Sequence, residues 1–237
     1  MGNVTVFEAT LFDYNGVLVD DEEIHFEAFA EVLRGQDVEV SREAYWKEYL
    51  GYDDVGGFEA MLRDAGRSVS RKEIDELVEA KKPVYLRLAG SDLSTFPDAA
   101  KVFAARAAAG PVVIVSGALR DEIELGLDVL GVRDLVLGIV AAEDTAQSKP
   151  DPDGYRQGIA MLNQASSRDV REGTLVIEDS VSGIEAAKSA GLYCAAVAHS
   201  YDASALTAAG ADFVTDKLGE LTEEKLQDLY QQRCTRS

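Results

Sequence analysis

The sequence predicts an α/β protein: a Rossmann-like parallel sheet core with an inserted helical cap domain. Three observations carry this expectation. From about residue 94 onward, short apolar, β-branched runs alternate with helical patterns, which is how a parallel sheet covered on both faces reads. Between about residues 21 and 93 that alternation gives way to consecutive helical patterns. The first apolar run ends in Asp13, with a turn directly after it. A carboxylate is thereby delivered to the C-terminal tip of a buried strand, where open α/β sheets bind ligands.

Strands are expected at 9–13, 112–116, 135–140, 174–178 and 193–198, with a weaker one at 212–214. Helices are expected between them at 97–109, 120–130, 151–162, 183–190 and 202–208. Gly110, Gly131 and Gly191 fall just past helices, where a left-handed cap residue belongs. The inserted block reads as helices at 22–34, 42–50, 55–64 and 71–89. Ser41 and Ser70 stand at helix starts, and Ser70 with Glu73 has capping-box spacing. The expected division is residues 1–20 with 94–237 as the α/β core and 21–93 as the cap. The tail from residue 221 reads as a charged amphipathic helix against the outside of the core.

With 237 residues and 46% hydrophobic content, the chain suits one large or two small domains with a real core. Its net charge of −20 repels nucleic acid and anionic membranes, so neither is an expected partner. By itself such acidity reads as solubility or adaptation to salt. An anionic substrate would need locally concentrated positive charge, such as a metal ion with a lysine. Cys194 and Cys234 have no CxxC spacing, which argues against a zinc site or a disulfide framework. No apolar stretch approaches membrane-spanning length, and no signal-peptide pattern opens the chain. A reduced, cytoplasmic, soluble protein is expected, monomeric or homodimeric.

Four motifs stand at the ends of separate expected strands. The first is Asp13-Tyr14-Asn15-Gly16. The second is Ser116-Gly117, a serine placed to donate to a phosphate oxygen, although Ser-Gly is also ordinary turn chemistry. The third is Ser148-Lys149-Pro150-Asp151-Pro152-Asp153, a lysine in a stiffened helix-opening turn. The fourth is Glu178-Asp179-Ser180-Val181-Ser182-Gly183-Ile184-Glu185-Ala186-Ala187. Adjacent acids at a buried strand tip repel one another unless a cation offsets them. With Asp13 they make a small, oxygen-only site suited to Mg²⁺; the plainer reading is an acidic helix-capping turn.

These four motifs, in this order, resemble the haloacid dehalogenase-like phosphohydrolases, and the likeness covers nearly the whole chain. The helical insert after the first motif is similar to the β-phosphoglucomutase, phosphoglycolate phosphatase and sugar-phosphatase branch. The resemblance implies a Mg²⁺-dependent phosphatase acting on a small phosphorylated metabolite. It implies Asp13 as the nucleophile that forms an aspartyl-phosphate, and Ser116, Gly117 and Lys149 as holders of the phosphoryl oxygens. Asp13, Asn15 (through its backbone carbonyl), Asp179 and Glu178, the last as a second or outer-shell ligand, would serve the metal.

Asn15 departs from the family pattern, which carries a second aspartate there as acid and base. An amide keeps the carbonyl but cannot exchange the proton, so slow turnover is expected. Three accounts of Asn15 stay open: a substitution made to trap a complex, a natural specialisation, or an Asn-Gly pair that deamidates. His25 matches a histidine common in the branch near the cap hinge; a helix-surface histidine is the alternative. Tyr52, in the glycine-rich turn 51–57, aligns with the loop that reads the substrate, while Trp46 fits a cap core better. Arg120 is read either as a phosphate neutraliser or as a surface ion pair. No lysine or arginine in that turn grips a second phosphate, which counts against a phosphomutase. A ligand-binding pseudoenzyme and a metal-free 2-haloacid dehalogenase also stay open. A phosphonate hydrolase would need a cap lysine, and none of Lys47, Lys72, Lys81 and Lys82 is singled out by its local sequence.

Overall fold

The computed structural model describes residues 7–236, with side chains through Gln232. Residues 1–6, where a leader would begin, and the side chain of Cys234 lie outside them. The chain divides into two compact units, Met1–Asp20 with Thr95–Ser237, and Asp21–Ser94.

The described residues open with strand β1 (Ala9–Phe12) and the two-residue β2 (Val19–Asp20). The inserted unit follows, with α1 (Glu22–Arg34), α2 (Arg42–Ala44), α3 (Asp54–Asp64) and α4 (Arg71–Asp92). After β3 (Ser94–Thr95) come α5 (Ala99–Ala109), β4 (Val112–Val115), α6 (Arg120–Leu130) and β5 (Gly138–Val140). The chain ends with α7 (Asp153–Ser166), β6 (Thr174–Glu178), α8 (Val181–Ser189), β7 (Tyr193–Val197), α9 (Ala203–Ala208), β8 (Phe213–Thr215) and α10 (Glu223–Arg236).

Among the described residues, the core unit is a six-stranded parallel sheet in the order β5-β4-β1-β6-β7-β8. Its central strand has Leu11 beside Val113 on one side and Val176 on the other. The chain runs outward from β1 through β4 and β5, then returns to β1's other side with β6. That reversal is a topological switch point, and it opens a crevice at the carboxyl ends of β1, β4 and β6. Helices cover the sheet because β1, β4, β6 and β7 are buried along their length. One core layer joins Leu11, Val113, Val176 and Cys194 to Tyr155, Ile159 and Leu162 of α7.

In the inserted unit, α4 packs on α1 and α3 around Phe29, Leu33, Tyr45, Phe58, Met61 and Ile74. Ser70 and Glu73 complete the capping box, and Ser41 caps α2 by accepting from Ala44 N. The helix expected at 42–50 is a single α-turn followed by a π-helical turn, Tyr45–Tyr49. The wider turn buries both tyrosines. The strand expected at 135–140 begins only at Gly138. Arg133–Leu135 forms a 3-10 turn, and Leu135 and Leu137 face solvent. Gly131 and Gly191 are left-handed caps, but Gly110 is extended, with φ 174°. A Cβ on Gly110 would lie 1.8 Å from the Glu8 carbonyl oxygen, so close backbone approach explains that glycine.

Candidate active site

The carboxyl ends of β1, β4 and β6, with the turn before α7, bring together Asp13, Asn15, Ser116, Lys149, Glu178 and Asp179. Asp13 follows β1 directly, and its N–H continues the ladder to the Ile177 carbonyl at 2.9 Å. A strand extended by one bond holds the carboxylate's backbone rigidly. Lys149 Nζ donates to Asp13 Oδ1 at 2.8 Å and to Glu178 Oε1 at 2.6 Å. Ser116 Oγ donates to Asn15 Oδ1 at 3.3 Å, and Ser116 N–H bonds the Val140 carbonyl. A cleft lined by Ser116, Gly117, Ser148 and Lys149 opens beside them.

Glu178 is fully buried, and both its oxygens meet donors of the chain. Oε1 accepts from Lys149 and from Tyr155 OH at 2.7 Å. Oε2 accepts from Asp179 N, Ser180 N and Ser180 Oγ at 3.0, 3.2 and 3.0 Å. This saturation fits Glu178 to fixing Lys149 and the start of α8. Asp179 Oδ2 accepts from Ser200 Oγ.

The electrostatics follow from three buried carboxylates around one ammonium. Burial, then the Glu178 charge, push the Asp13 carboxyl up to about 7, with Lys149 opposing. Burial, then the charges of Asp13 and Glu178, push Asp179 well above the usual carboxylate range. Burial also opposes ionisation of Glu178, but the Lys149 charge and hydrogen bond outweigh it and hold that carboxyl below its ordinary value. Lys149 is itself held above its ordinary value because Asp13 and Glu178 outweigh its burial.

Oxygens of Asp13, Glu178 and Asp179 lie within 4.8 Å of one another. A cluster of three carboxylates with, among the described residues, only Lys149 to offset them fits a divalent cation of the Mg²⁺ kind. The same charges that raise Asp13 and Asp179 would be relieved by it.

The sequence profile of the haloacid dehalogenase-like hydrolases matches residues 7–191. The chain belongs to that family. Validoxylamine A 7'-phosphate phosphatase of Streptomyces hygroscopicus subsp. limoneus is 30% identical over 218 residues, 91% of this chain and 96% of that protein. β-Phosphoglucomutase of Bacillus subtilis is 26% identical, over 95% of this chain and 96% of that one. The crystal structure of CbbY from Rhodobacter sphaeroides in complex with phosphate superposes with a TM-score of 0.79. It is 27% identical and covers 91% of this chain and 96% of that one.

Other residues of this haloacid dehalogenase-like hydrolase fall as follows. Arg120 pairs with Asp144 and donates to the Ile139 carbonyl, so it is an ion-pair residue of the α6 start. In the inserted unit Tyr52 is exposed at 52%, and Trp46 packs on Phe26 and Tyr45. His25 is no surface residue: its side chain is 13% exposed. Lys81, fully buried, places Nζ 2.9 Å from His25 Nδ1 and 2.5 Å from Asp54 Oδ1. An ammonium only donates, so Nδ1 accepts and the ring proton sits on Nε2, which faces Asp21 Oδ2 at 3.3 Å. Tyr85 OH donates to that same oxygen. Asp54 Oδ2 is buried without a hydrogen bond.

Sequence reasoning passed over Tyr155, Ser200 and the Lys81 network. Lys81 left a signal, since a charge interrupts the buried stripe of its helix; Tyr155 left none, because it continues the buried stripe of α7 and reads as core. Ser200 left none, because its partner comes from a different strand tip.

Proposed function

We propose that this chain is a cytoplasmic, Mg²⁺-dependent phosphatase of a small phosphorylated, sugar-like metabolite, working through an aspartyl-phosphate on Asp13. The observation that carries the reading is Lys149 held between Asp13 and Glu178, with Ser116 and Asp179 at the neighbouring strand tips. Relatives support the substrate class. One is named a phosphatase of validoxylamine A 7'-phosphate, another a phosphatase of phosphorylated carbohydrates. A substituted form of CbbY is described in complex with xylulose-1,5-bisphosphate.

In this reading an Asp13 oxygen attacks phosphorus. The bond from phosphorus to the ester oxygen breaks, and the leaving oxygen takes a proton from solvent water. Water then attacks phosphorus and releases its proton to solvent, the Asp13–phosphorus bond breaks, and inorganic phosphate leaves. Ser116 and Lys149 hold the phosphoryl oxygens through both steps, and Glu178 keeps Lys149 aimed. A Mg²⁺ ion held by Asp13, the Asn15 carbonyl and Asp179 would supply neutralising charge at the transferring group. Asn15 offers an amide where proton exchange is needed, so turnover is slow in the chain as written.

The test is phosphate release from a panel of sugar phosphates, phosphoglycolate and nucleotides, with Mg²⁺ or chelator. The chain as written runs beside Asn15→Asp. We expect the aspartate form to be faster by about 10²–10⁴-fold, and active only with Mg²⁺. Absence of phosphate release from both forms would overturn the reading.

Asn15 also favours a second reading, a pseudoenzyme that binds a phosphorylated ligand; tight binding without turnover in both forms would select it. A phosphomutase has less support, since the buried cation of the inserted unit, Lys81, is already paired with Asp54. Halide release from a 2-haloacid that survived chelation would point to dehalogenase chemistry instead.

A further inference from the structure

The loop between β7 and α9 is tied to the other side of the candidate metal centre by two side chains. Ser200 Oγ donates to Asp179 Oδ2. His199 Nδ1 lies 2.8 Å from the Gly16 carbonyl oxygen; a carbonyl only accepts, so Nδ1 carries the proton and donates. The His199 ring stacks on Phe96, with centroids 3.9 Å apart and planes at 12°.

Gly16 is the second constraint on the same carboxylate. Its φ of +72° suits glycine, and a Cβ there would lie 1.9 Å from Asp179 Oδ2. The oxygen that Ser200 holds is therefore also the one packed against the Gly16 backbone. Gly16 N–H bonds the Val19 carbonyl at 2.9 Å, which closes the turn and fixes the wall. Ser200 is exposed and has water available, yet it turns its hydroxyl onto a buried carboxylate.

We propose that Ser200 is a positioning residue for the cation-binding carboxylate of Asp179, and that His199 sets the loop that carries it. The inference rests on the assignment of Asp179 to the cation in the phosphatase reading. Ser200 fixes Oδ2, so the carboxylate keeps one rotation. His199 ties that loop to the turn carrying Asn15, so the two sides of the site move together. Outer-shell partners of metal ligands typically govern affinity by about 10–100-fold.

The test is calorimetric titration of the full chain with Mg²⁺, comparing the parent with Ser200→Ala, Ser200→Thr and His199→Phe. His199→Phe keeps a ring over Phe96 but drops the N–H donor. We expect Ser200→Ala to weaken Mg²⁺ binding by about 10-fold or more, Ser200→Thr to restore it, and His199→Phe to weaken it in the same direction. The thermal midpoint in chelator should be unchanged for Ser200→Ala, which separates positioning from folding. Equal affinity in parent and Ser200→Ala, a threonine form as weak as the alanine form, or a parent that binds no Mg²⁺ would overturn the inference. Phosphate release by the Asn15→Asp form, measured in parallel, tests the phosphatase reading separately. Ser200-dependent Mg²⁺ binding without phosphate release would leave the positioning role standing and remove the hydrolase.

Discussion

Lys149 Nζ stands 2.6 Å from Glu178 Oε1, and the same ammonium reaches Asp13 Oδ1 at 2.8 Å. Tyr155 OH donates to that Glu178 oxygen as well, and the ammonium lies 5.3 Å from the centroid of the tyrosine ring. The lysine is thus aimed by a carboxylate that is itself held by five donors, four besides the lysine.

Removing the charge while keeping the bulk isolates its role. Lys149→Met in the Asn15→Asp background should lose phosphate release by about 10²–10³-fold, the usual loss when a transition-state donor is removed. Steady-state phosphate release, with far-ultraviolet dichroism to confirm folding, checks it. Activity within a few-fold of the parent would refute the lysine's assignment.

The carboxyl shifts predict how Mg²⁺ and pH trade against one another. Asp13 is raised from 3.8 to about 7 by burial and then by Glu178, and Asp179 well upward by burial and its neighbours. A carboxyl with a folded value above its unfolded one binds its proton more tightly when folded. Its contribution to stability therefore falls as pH rises from about 4 through about 7. Glu178, shifted down, loses its contribution only in acid, and Lys149, shifted up, only in alkali. The metal-free protein should accordingly show a thermal midpoint that falls between about pH 5 and 7. Mg²⁺ should raise the midpoint more at the higher pH, because it binds the deprotonated pair. A Mg²⁺ effect independent of pH would contradict this electrostatic account.

In the inserted unit, Lys81 and Asp54 should behave as one object. Lys81→Met leaves a largely buried carboxylate without its ammonium and should cost about 3–5 kcal/mol. Adding Asp54→Asn should recover much of that loss, since residues in one network are not additive. Urea unfolding of the two single variants and the double variant measures the coupling. Additive losses would show that the pair does not act together.

How far the sequence could be read depends on the distance over which each feature is encoded. Parallel strands and their covering helices are written locally, in apolar runs and helix caps such as Ser70 with Glu73. The candidate site was legible because three of its motifs end their own strands, while the lysine motif, expected at a strand end, lies in the turn that opens α7 beyond β5, and the switch point at β1 gathers them. Asp13, Ser116, Lys149 and Asp179 could be named before their distances were known. Side chains recruited across the fold were not legible in that way. Ser200 finds Asp179 only through the pairing of β6 with β7. Lys81 was named among the cap lysines but not singled out, although it sits on the stripe Ile74, Leu77, Lys81, Tyr85 and Ala89, where a charge at helical spacing on the buried face needs a partner.

Arg106 obeys the same rule and gives its sharpest test. It closes the buried stripe Ala99, Val102, Phe103 and Arg106 of α5 and is 1% exposed. Nε donates to Thr10 Oγ1 at 2.9 Å, Nη2 to the Phe7 carbonyl, and Nη1 to both oxygens of Glu223 on α10 at 2.7 and 2.9 Å. The guanidinium fork thereby ties α10 to the segment entering β1. Arg106→Ala strands the Phe7 and Thr10 oxygens, at roughly 1–3 kcal/mol each. Arg106→Lys should recover only part of this, because an ammonium cannot reproduce the planar fork. Glu223 is half exposed, at 51%, so Glu223→Gln should lose less than about 1 kcal/mol. Urea unfolding of the three variants ranks them. If Glu223→Gln were as destabilising as Arg106→Ala, the ion pair rather than the buried acceptors would be what α5 contributes.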